Sequence, residues 1–269
     1  MKNQSKIMGC ACFAITWVCL LQNGIAHVPT TGEEAEAREF YELRIYQIFD
    51  FEKQQAMEAH LRDAYLPALK RLGIDRVGVF RNLKEENDHS VFVVIPFSDA
   101  EQFAGLRDAL SQDPVYQKSE ATFSDRPLKD PIYQRVESWF LKSFIDIPEM
   151  ELSEYSQNLT PRIFELRLYE SHTDDHARRK IKMFNEGGEL QLMRDVEMAP
   201  VFFGETLIGP DAPNLVYMLS AKDEAAHQAH WKAFIASDRW KAMKDLPEYK
   251  DTVSKIQNWF LKPTDFSGF

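Results

Sequence analysis

The stretch YELRIY at residues 41–46 is repeated as FELRLY at residues 164–169. Each copy ends in the tetrapeptide WFLK, at residues 139–142 and 259–262. Equivalent positions are 123 residues apart at the opening motif (165 − 42) and 120 apart at the closing motif (259 − 139). An offset that changes so little across a whole copy indicates a tandem duplication with insertions confined to loops. Each copy is then of ordinary domain size and has enough residues for its own core.

Both copies predict the same order of secondary-structure elements. In the first copy, alternating residues at 40–49 indicate a strand, helical spacing at 51–72 indicates a helix, and two β-rich runs follow at 77–81 and 91–95. A capped helix from Ser98 and a strand at 136–142 complete the order β-α-β-β-α-β. The second copy repeats this order, with a predicted helix over 173–194.

This order is typical of a ferredoxin-like domain, in which two helices cover one face of a four-stranded antiparallel sheet. Such a sheet leaves its other face bare, and two bare faces in one chain can cover each other. We therefore predict an α+β fold, with two tandem ferredoxin-like domains packed sheet to sheet as an intramolecular α+β barrel. The predicted domains are 40–145 and 162–266, joined by a linker at 146–161 that contains prolines and acidic residues.

The first 26 residues have the layout of a secretory signal peptide. Lys2 and Lys6 precede an apolar run at 7–21, and small residues at 24–26 offer a cleavage site near Ala26. The run is short for a membrane span. We expect export to the periplasm or the extracellular space, residues 27–39 as a flexible lead-in, and no stable span after cleavage. Retention as a membrane anchor is the alternative.

Cysteine positions and charge narrow the function classes. All three cysteines, at positions 10, 12 and 19, lie in the predicted signal peptide, so the exported chain would have neither disulfides nor a cysteine nucleophile. The formal net charge is −10, with no basic cluster, which excludes nucleic acid as an expected partner. Phosphate-binding glycine loops, GxSxG and HExxH motifs are absent, so we expect no nucleotide, no other cofactor and no metal.

The repeated strand carries charged residues on one face. Because side chains alternate along a strand, the apolar residues share one face and the Glu-Arg-Tyr set shares the other. We expect the apolar face to contact the helices and the polar face to point between the sheets. Buried ions must be paired, which predicts an ionic network across the pseudo-two-fold axis, formed by Glu42, Arg44, Glu165 and Arg167. The alternative is ligand binding, with arginine holding an anion and tyrosine donating a proton, by Arg44, Tyr46, Arg167 and Tyr169.

Three histidines are candidates for chemistry. His60 lies beside the apolar face of the first predicted helix and is the candidate general base, or alternatively a structural histidine at the edge of the core. His227 and His230 stand where the first copy has Phe103 and Leu106, so the second copy is expected to frame a ligand pocket that the first has filled. Structural burial is again the alternative for both.

A family resemblance follows from these motifs. The two [YF]ELRxY strands, the following helix with Leu66-Pro67 and Gly73, the hairpin and the late aromatic strand resemble the NIPSNAP family over residues 40–266. The resemblance implies the dimeric α+β barrel superfamily, which includes cofactor-independent oxygenases, haem-degrading enzymes and small-molecule binders, while NIPSNAP domains have no agreed chemistry.

We therefore expect an exported NIPSNAP-like protein that binds a small molecule or a protein and has no demonstrable enzymatic activity. The alternative is a cofactor-independent oxygenase or isomerase acting on a small enolic or acidic substrate. Self-association into a homo-oligomer is compatible with either function.

Overall fold

The computed structural model describes residues 37–85, 87–153 and 161–269. The predicted signal peptide, most of the lead-in and part of the predicted linker lie outside these residues. We call residues 37–153 the first half and residues 161–269 the second half. Within the described residues, none of the helices combines the length and the apolar character needed to span a membrane.

The strands form one closed antiparallel barrel in the order β1-β3-β2-β8-β5-β7-β6-β4. The strands of the first half are β1 (Phe40–Ile48), β2 (Gly78–Asn82), β3 (Val91–Phe97) and β4 (Tyr133–Ser143). Those of the second half are β5 (Ile163–Glu170), β6 (Pro200–Ile208), β7 (Asn214–Ala221) and β8 (Lys255–Pro263). The repeated motifs occupy β1 and β5, and the WFLK motifs lie in β4 and β8.

Two short pairings join the halves. Strand β2 pairs with β8 through Phe80–Asn82, and β4 pairs with β6 through Phe140–Ser143. Gly204 permits the second contact, because a Cβ atom at this position would lie 2.8 Å from the Leu141 side chain. The chain therefore closes its barrel by hydrogen bonding between the two halves.

Along the chain, the helices are connected between successive strands. In the first half they are α1 (Phe51–His60), a π-helical turn (Leu61–Tyr65), α2 (Leu66–Arg71), α3 (Ala100–Ser111) and α4 (Pro114–Ser124). In the second half they are α5 (Asp174–Phe184), α6 (Glu189–Asp195), α7 (Glu224–Ala236) and α8 (Asp238–Lys244). The helix predicted over 173–194 is thus two helices, separated at Gly188, whose φ of +80° favours glycine.

The predicted orientation of the repeated strands is wrong. Side chains from both halves fill the barrel interior, and this shared core includes Tyr41, Leu43, Ile45, Phe164, Leu166 and Leu168. A second cluster lies between the first-half helices and the opposite faces of β2 and β3. A period of two reveals which residues share a face but not which way the face points. The barrel interior requires apolar side chains from every strand, whereas the helix-covered face leaves room for ions.

The predicted network across the pseudo-two-fold axis is wrong for the same reason. Arg44 pairs with Glu42 two residues away in its own strand, and Arg167 pairs with Glu165 in the same way. Each pair faces the helices of its own half, where it lines a cavity in the first half and a groove in the second. The seam between the halves is instead apolar.

Candidate functional site

A cavity of about 600 Å³ lies between β1, β4 and the helices of the first half. We call it the first-half cavity. Its polar lining side chains include those of Glu42, Arg44, Tyr46, His60, Tyr65, Arg107, Tyr116, Gln117, Glu120 and Ser138, and its aromatic side chains include Phe103 and Phe123. Its size and its mixture of aromatic and polar groups are typical of small-molecule sites.

The strand side of the cavity is held by a satisfied ion pair. Arg44 Nη2 donates to Glu42 Oε2 at 2.7 Å, and Ser138 Oγ donates to Glu42 Oε1 at 2.8 Å. Arg44 Nη1 also donates to the Tyr46 hydroxyl at 3.3 Å. Burial opposes the charge on Arg44, but the neighbouring Tyr65, Tyr46 and Glu42 raise its pKa, so the guanidinium remains charged.

The π-helical turn places two polar side chains on the cavity side of one helix. Its defining hydrogen bond runs from the Leu66 amide to the Leu61 carbonyl, five residues earlier. In a regular α-helix, residues five apart do not lie on one face. The extra residue of a π turn brings such residues together, and turns of this kind are frequent at functional sites. His60 and Tyr65 therefore both line the first-half cavity.

His60 is arranged to be a neutral base. Its side chain is 9% exposed, its ring stacks on Phe123 with centroids 3.8 Å apart, and Nε2 lies 3.2 Å from Glu120 Oε2. Burial lowers the pKa of His60 and outweighs the opposing effect of Glu120. The carboxylate favours the tautomer that carries its proton on Nε2, which leaves Nδ1 able to accept a proton.

The Tyr65 hydroxyl is buried without a hydrogen-bond partner among the described residues. Tyr65 is 5% exposed, and the Arg44 guanidinium lies 5.5 Å from the centre of its ring. Burial raises the pKa of Tyr65, although Arg44 opposes this effect, so the phenol is neutral at neutral pH. Native proteins rarely leave a buried hydroxyl unsatisfied, and such groups mark positions where a ligand or water completes the hydrogen bond.

Helix α4 supplies cavity residues that the sequence analysis missed. Tyr116 donates a hydrogen bond of 2.7 Å to Glu120 Oε2, and Glu120 is the carboxylate next to His60. The start of α4 has a recognisable signal, because Asp113 caps it by accepting from Val115 and Tyr116 and Pro114 is its first residue. An Asp-Pro pair therefore predicts a helix here.

The equivalent position in the second half is a shallower groove of about 700 Å³ with a different lining. We call it the second-half groove, and its lining includes Glu165, Arg167, His227, Trp231, Lys232, Ile235 and Phe260. His227 Nε2 and Trp231 Nε1 both lie 2.9 Å from Glu165 Oε2, and Asn258 donates to Oε1 at 3.1 Å. Burial opposes ionisation of Glu165, but His227, Arg167 and Trp231 outweigh it and lower its pKa to about 2. These polar groups satisfy one another.

A buried ion pair lies behind the second-half groove. Lys180 Nζ lies 2.6 Å from Glu189 Oε2, with both side chains at most 5% exposed. Glu189 stands at the position of Tyr65 (189 − 65 = 124), so the unsatisfied hydroxyl of the first half is replaced by a paired carboxylate. Burial raises the pKa of Glu189, against the effect of Lys180. The polar groups that line the second-half groove and the ion pair behind it therefore satisfy one another, whereas His230 Nδ1, which lies apart from the groove, is buried without a partner among the described residues.

The structure separates the predicted site residues into two groups. Arg44, Tyr46 and His60 meet in the first-half cavity, and Arg167 and His227 meet in the second-half groove. The Tyr169 hydroxyl bonds to the Tyr217 hydroxyl at 2.8 Å behind the groove. His230 lies apart from both groups, with Nε2 3.9 Å from Glu197. The expectation that the first copy had filled its pocket is wrong, because Phe103 lines an open cavity there.

Metal ligation has no candidate cluster in the described part of the chain. No group of three or more His, Cys, Asp or Glu side chains there has a geometry that could hold an ion.

Comparisons with known proteins extend the account of the fold. The NIPSNAP family model matches residues 41–137 and 164–268. A "putative monooxygenase" from Lactobacillus acidophilus aligns over 84% of this chain and 94% of its own, with a TM-score of 0.56 and 9% identity. An anthrone oxidase-like protein aligns over 86% and 93%, with a TM-score of 0.53 and 9% identity.

A NIPSNAP-like domain protein from Burkholderia xenovorans covers 40% of this chain and 89% of its own, with 21% identity and a TM-score of 0.36. No curated protein matches this chain. At 9% identity, the alignments with the monooxygenase and the anthrone oxidase-like protein show a shared fold and nothing about activity.

Proposed function

The chain belongs to the NIPSNAP family, and from that premise we propose that its first-half cavity binds a small organic molecule with an acidic hydroxyl group. An enol or a phenol is the class of group that suits the cavity. The hydroxyl lies against His60 and Tyr65, and the carbon skeleton lies between the aromatic side chains. Among the described residues this site occurs once, because the polar groups that line the second-half groove are paired with one another.

The observation that carries the proposal is the buried Tyr65 hydroxyl, which has no partner among the described residues. Leaving a buried hydroxyl unsatisfied costs about 1–3 kcal/mol. A ligand oxygen that accepts from Tyr65 recovers this energy, and the recovered energy contributes to the affinity. The second half supports the same reasoning, since its equivalent residue, Glu189, is fully paired.

The neighbouring groups favour an acidic hydroxyl over a neutral alcohol. His60 is neutral, and its Nδ1 can accept a hydrogen bond from the ligand hydroxyl, which an acidic hydroxyl donates more strongly than a neutral alcohol does. The ligand oxygen in turn accepts a hydrogen bond from the Tyr65 hydroxyl, which has no other partner among the described residues. The ring of Phe123, stacked on His60, and that of Phe103 suit a planar ligand.

A titration with 2-naphthol tests the proposal. This planar compound has an acidic hydroxyl, and 2-methoxynaphthalene is its matched control because it cannot donate a proton. We expect saturable binding of 2-naphthol at one site per chain, weaker binding of the methyl ether, and about tenfold weaker binding of 2-naphthol to His60→Gln. His172→Gln, at an exposed histidine of the second half, is the control variant. Equal binding of both compounds to the wild type would contradict the proposal.

A second candidate function is enzymatic proton transfer, favoured by the contact between His60 and the Tyr116–Glu120 pair. Here His60 removes a proton from the carbon next to a carbonyl group, the electron pair forms an enolate, and the proton returns to another carbon. This isomerisation needs no oxidant. An oxygenase reaction would in addition need dioxygen to accept electrons from the enolate.

Deuterium exchange tests the catalytic candidate. Phenylpyruvate has an acidic methylene group next to a ketone, and NMR in heavy water follows the loss of its protons. The wild type should accelerate exchange over buffer, and His60→Gln should return it to the buffer rate. Exchange at the buffer rate with the wild type, or unchanged acceleration in His60→Gln, would contradict this candidate and leave binding as the function.

We further propose that each half is a ferredoxin-like domain, with boundaries at 40–145 and 162–266. The strand orders β4-β1-β3-β2 and β8-β5-β7-β6 within the barrel support this proposal. The two helical layers and the repeated motif support it as well. Limited proteolysis should cut first within the linker at 146–161, and a first cut inside either domain would contradict the boundaries.

Export also stays a proposal. Its support is the basic start, the apolar run and the confinement of all three cysteines to residues 10–19. The mass of the protein recovered after expression in a bacterium should correspond to a chain that begins at His27. A full-length chain recovered from the membrane fraction would instead support a retained anchor. Size-exclusion chromatography of the mature chain tests whether it forms a homo-oligomer.

A further inference from the structure

We infer that the ligand of the first-half cavity also carries a carboxylate, which Arg107 binds at the mouth of the cavity. This inference rests on the proposed function, because it assumes that the cavity is occupied. It makes the ligand class more specific: a planar hydroxylated carboxylic acid. Arg107 is then a residue that determines specificity and takes no part in proton transfer.

Arg107 has a guanidinium that is not used elsewhere in the described structure. Arginines nearby are paired, as Arg44 is with Glu42 and Arg71 is with Asp113. Arg107 forms neither an ion pair nor a hydrogen bond with any described residue, although it lines the cavity. A guanidinium has five N–H donors in a planar arrangement that matches the two oxygens of a carboxylate.

The helix α3 directs Arg107 to the cavity. Phe103, Leu106, Arg107 and Leu110 all line the cavity, and their spacing of three and four residues is that of one helix face. Two other polar side chains that line this part of the cavity are in use, since Gln117 Nε2 donates to the Leu110 carbonyl at 3.1 Å and Ser111 Oγ donates to the Asp108 carbonyl at 2.7 Å. Free hydrogen-bond donors at the mouth therefore come mainly from Arg107.

The second half offers a natural contrast at the same position. Trp231 stands where the first half has Arg107 (231 − 107 = 124). Its ring lies 4.7 Å from the Arg167 guanidinium, and its Nε1 donates to Glu165. The tryptophan thus covers the ion pair that its half has on β5. The arginine at the equivalent position leaves the first half open and provides a positive charge there.

Because the whole chain is acidic, an anionic ligand needs an unpaired positive charge at its binding site. The chain has a formal net charge of −10, so its field disfavours anions at most of the surface. Within the cavity, the charge of Arg44 is balanced by Glu42. An anionic ligand therefore needs a cation that is not already neutralised, and Arg107 provides it at the position where the cavity meets solvent.

Calorimetric titrations with matched naphthols test the inference. The probes are 2-naphthol, which has no carboxylate, and 6-hydroxy-2-naphthoate and 3-hydroxy-2-naphthoate, which carry it at two different positions. We expect at least one naphthoate to bind the wild type about three- to tenfold more tightly than 2-naphthol. In Arg107→Ala this gain should disappear while the affinity for 2-naphthol stays unchanged. Arg178→Ala, which removes a free and exposed arginine of the second half, should retain the gain.

The outcomes separate this inference from the proposed function. If 2-naphthol binds but neither naphthoate binds more tightly, or if the gain persists in Arg107→Ala, the carboxylate inference is wrong and the proposed function stands. If 2-naphthol itself does not bind, the proposed function is wrong. Arg107→Lys should retain part of the gain, because lysine keeps the charge but lacks the planar pair of donors. A rising salt concentration should reduce the gain for the wild type.

Discussion

Replacing Tyr65 by phenylalanine should stabilise the unliganded protein and weaken its binding of 2-naphthol. The substitution removes one oxygen atom and leaves the ring in place. The hydroxyl makes no hydrogen bond of normal length to any described residue, so the substitution removes at most a weak contact with the neighbouring Arg44. The desolvation cost of about 1–3 kcal/mol for an unsatisfied buried group is relieved.

The expected magnitude is a gain of about 1 kcal/mol in the free energy of unfolding, at the lower end of that range because Arg44 lies near the hydroxyl and lowers the cost of burying it. For a chain of this length, this gain raises the melting temperature by about 2–4 °C. Burial raises the pKa of Tyr65, so the substitution removes a neutral phenol and changes no charge at neutral pH. The affinity for 2-naphthol should fall about tenfold, because the ligand oxygen loses its donor.

Urea denaturation and thermal melting measure the stability effect. The matched control is Tyr116→Phe, which removes a hydroxyl that donates to Glu120 at 2.7 Å. This control should lose about 1–2 kcal/mol, because its hydroxyl bonds to a carboxylate. If Tyr65→Phe is destabilised as much as Tyr116→Phe, the Tyr65 hydroxyl is satisfied in solution and the argument for a ligand there fails.

Three further predictions concern the charged groups of the two halves. Because the pKa of Glu165 is lowered to about 2 in the folded state, its carboxylate stabilises the wild type above pH 4.5, and this stability is lost as the pH falls towards 2. Glu165→Gln should therefore lack this pH-dependent stability. Equal acid denaturation curves for the two proteins would contradict this. Lys180→Met should lower the free energy of unfolding, measured in urea, by about 3–5 kcal/mol, because Glu189 is left buried and unpaired. The additional change Glu189→Leu should restore much of this stability. A double variant as unstable as the single variant would contradict the pairing. Burial lowers the pKa of His60, so the folded state disfavours its protonation and the wild type loses stability as the pH falls below 6.5. His60→Gln should lose less stability over the same range. An unchanged pH profile of melting temperatures would show that His60 is not buried as described.

The sequence predicted the α+β barrel and its two repeats, because these depend on repetition and periodicity. The strand motif at 41–46 and its copy at 164–169 are two strands of the barrel, in the two regions that match the family model. The faces of these strands were predicted the wrong way round. Periodicity assigns residues to a face, but the direction of that face depends on packing partners that a local pattern does not contain.

The candidate site was predicted only in part. The sequence singled out His60, Arg44 and Tyr46, which do meet in one cavity. It missed Tyr65, because helical spacing does not show that a π turn brings this residue beside His60. It also missed Glu120, because no element was predicted over the residues of α4, even though an Asp-Pro pair marks the start of this helix.

The duplication explains how the two halves came to differ in chemistry while sharing one fold. In both halves, an arginine–glutamate pair on the repeated strand lies on the face that the helices cover. The second half completes this face with Trp231 and a buried ion pair, and the first half leaves a cavity. We therefore interpret the first half as the one that binds a ligand and the second half as its structural partner.

A crystal structure of the protein with 2-naphthol tests this interpretation most directly. We predict one molecule per chain in the first-half cavity, with its oxygen within hydrogen-bond distance of the Tyr65 hydroxyl and its ring against Phe123. A molecule bound in the second-half groove, or a first-half cavity that stays free of 2-naphthol at a saturating concentration, would contradict it.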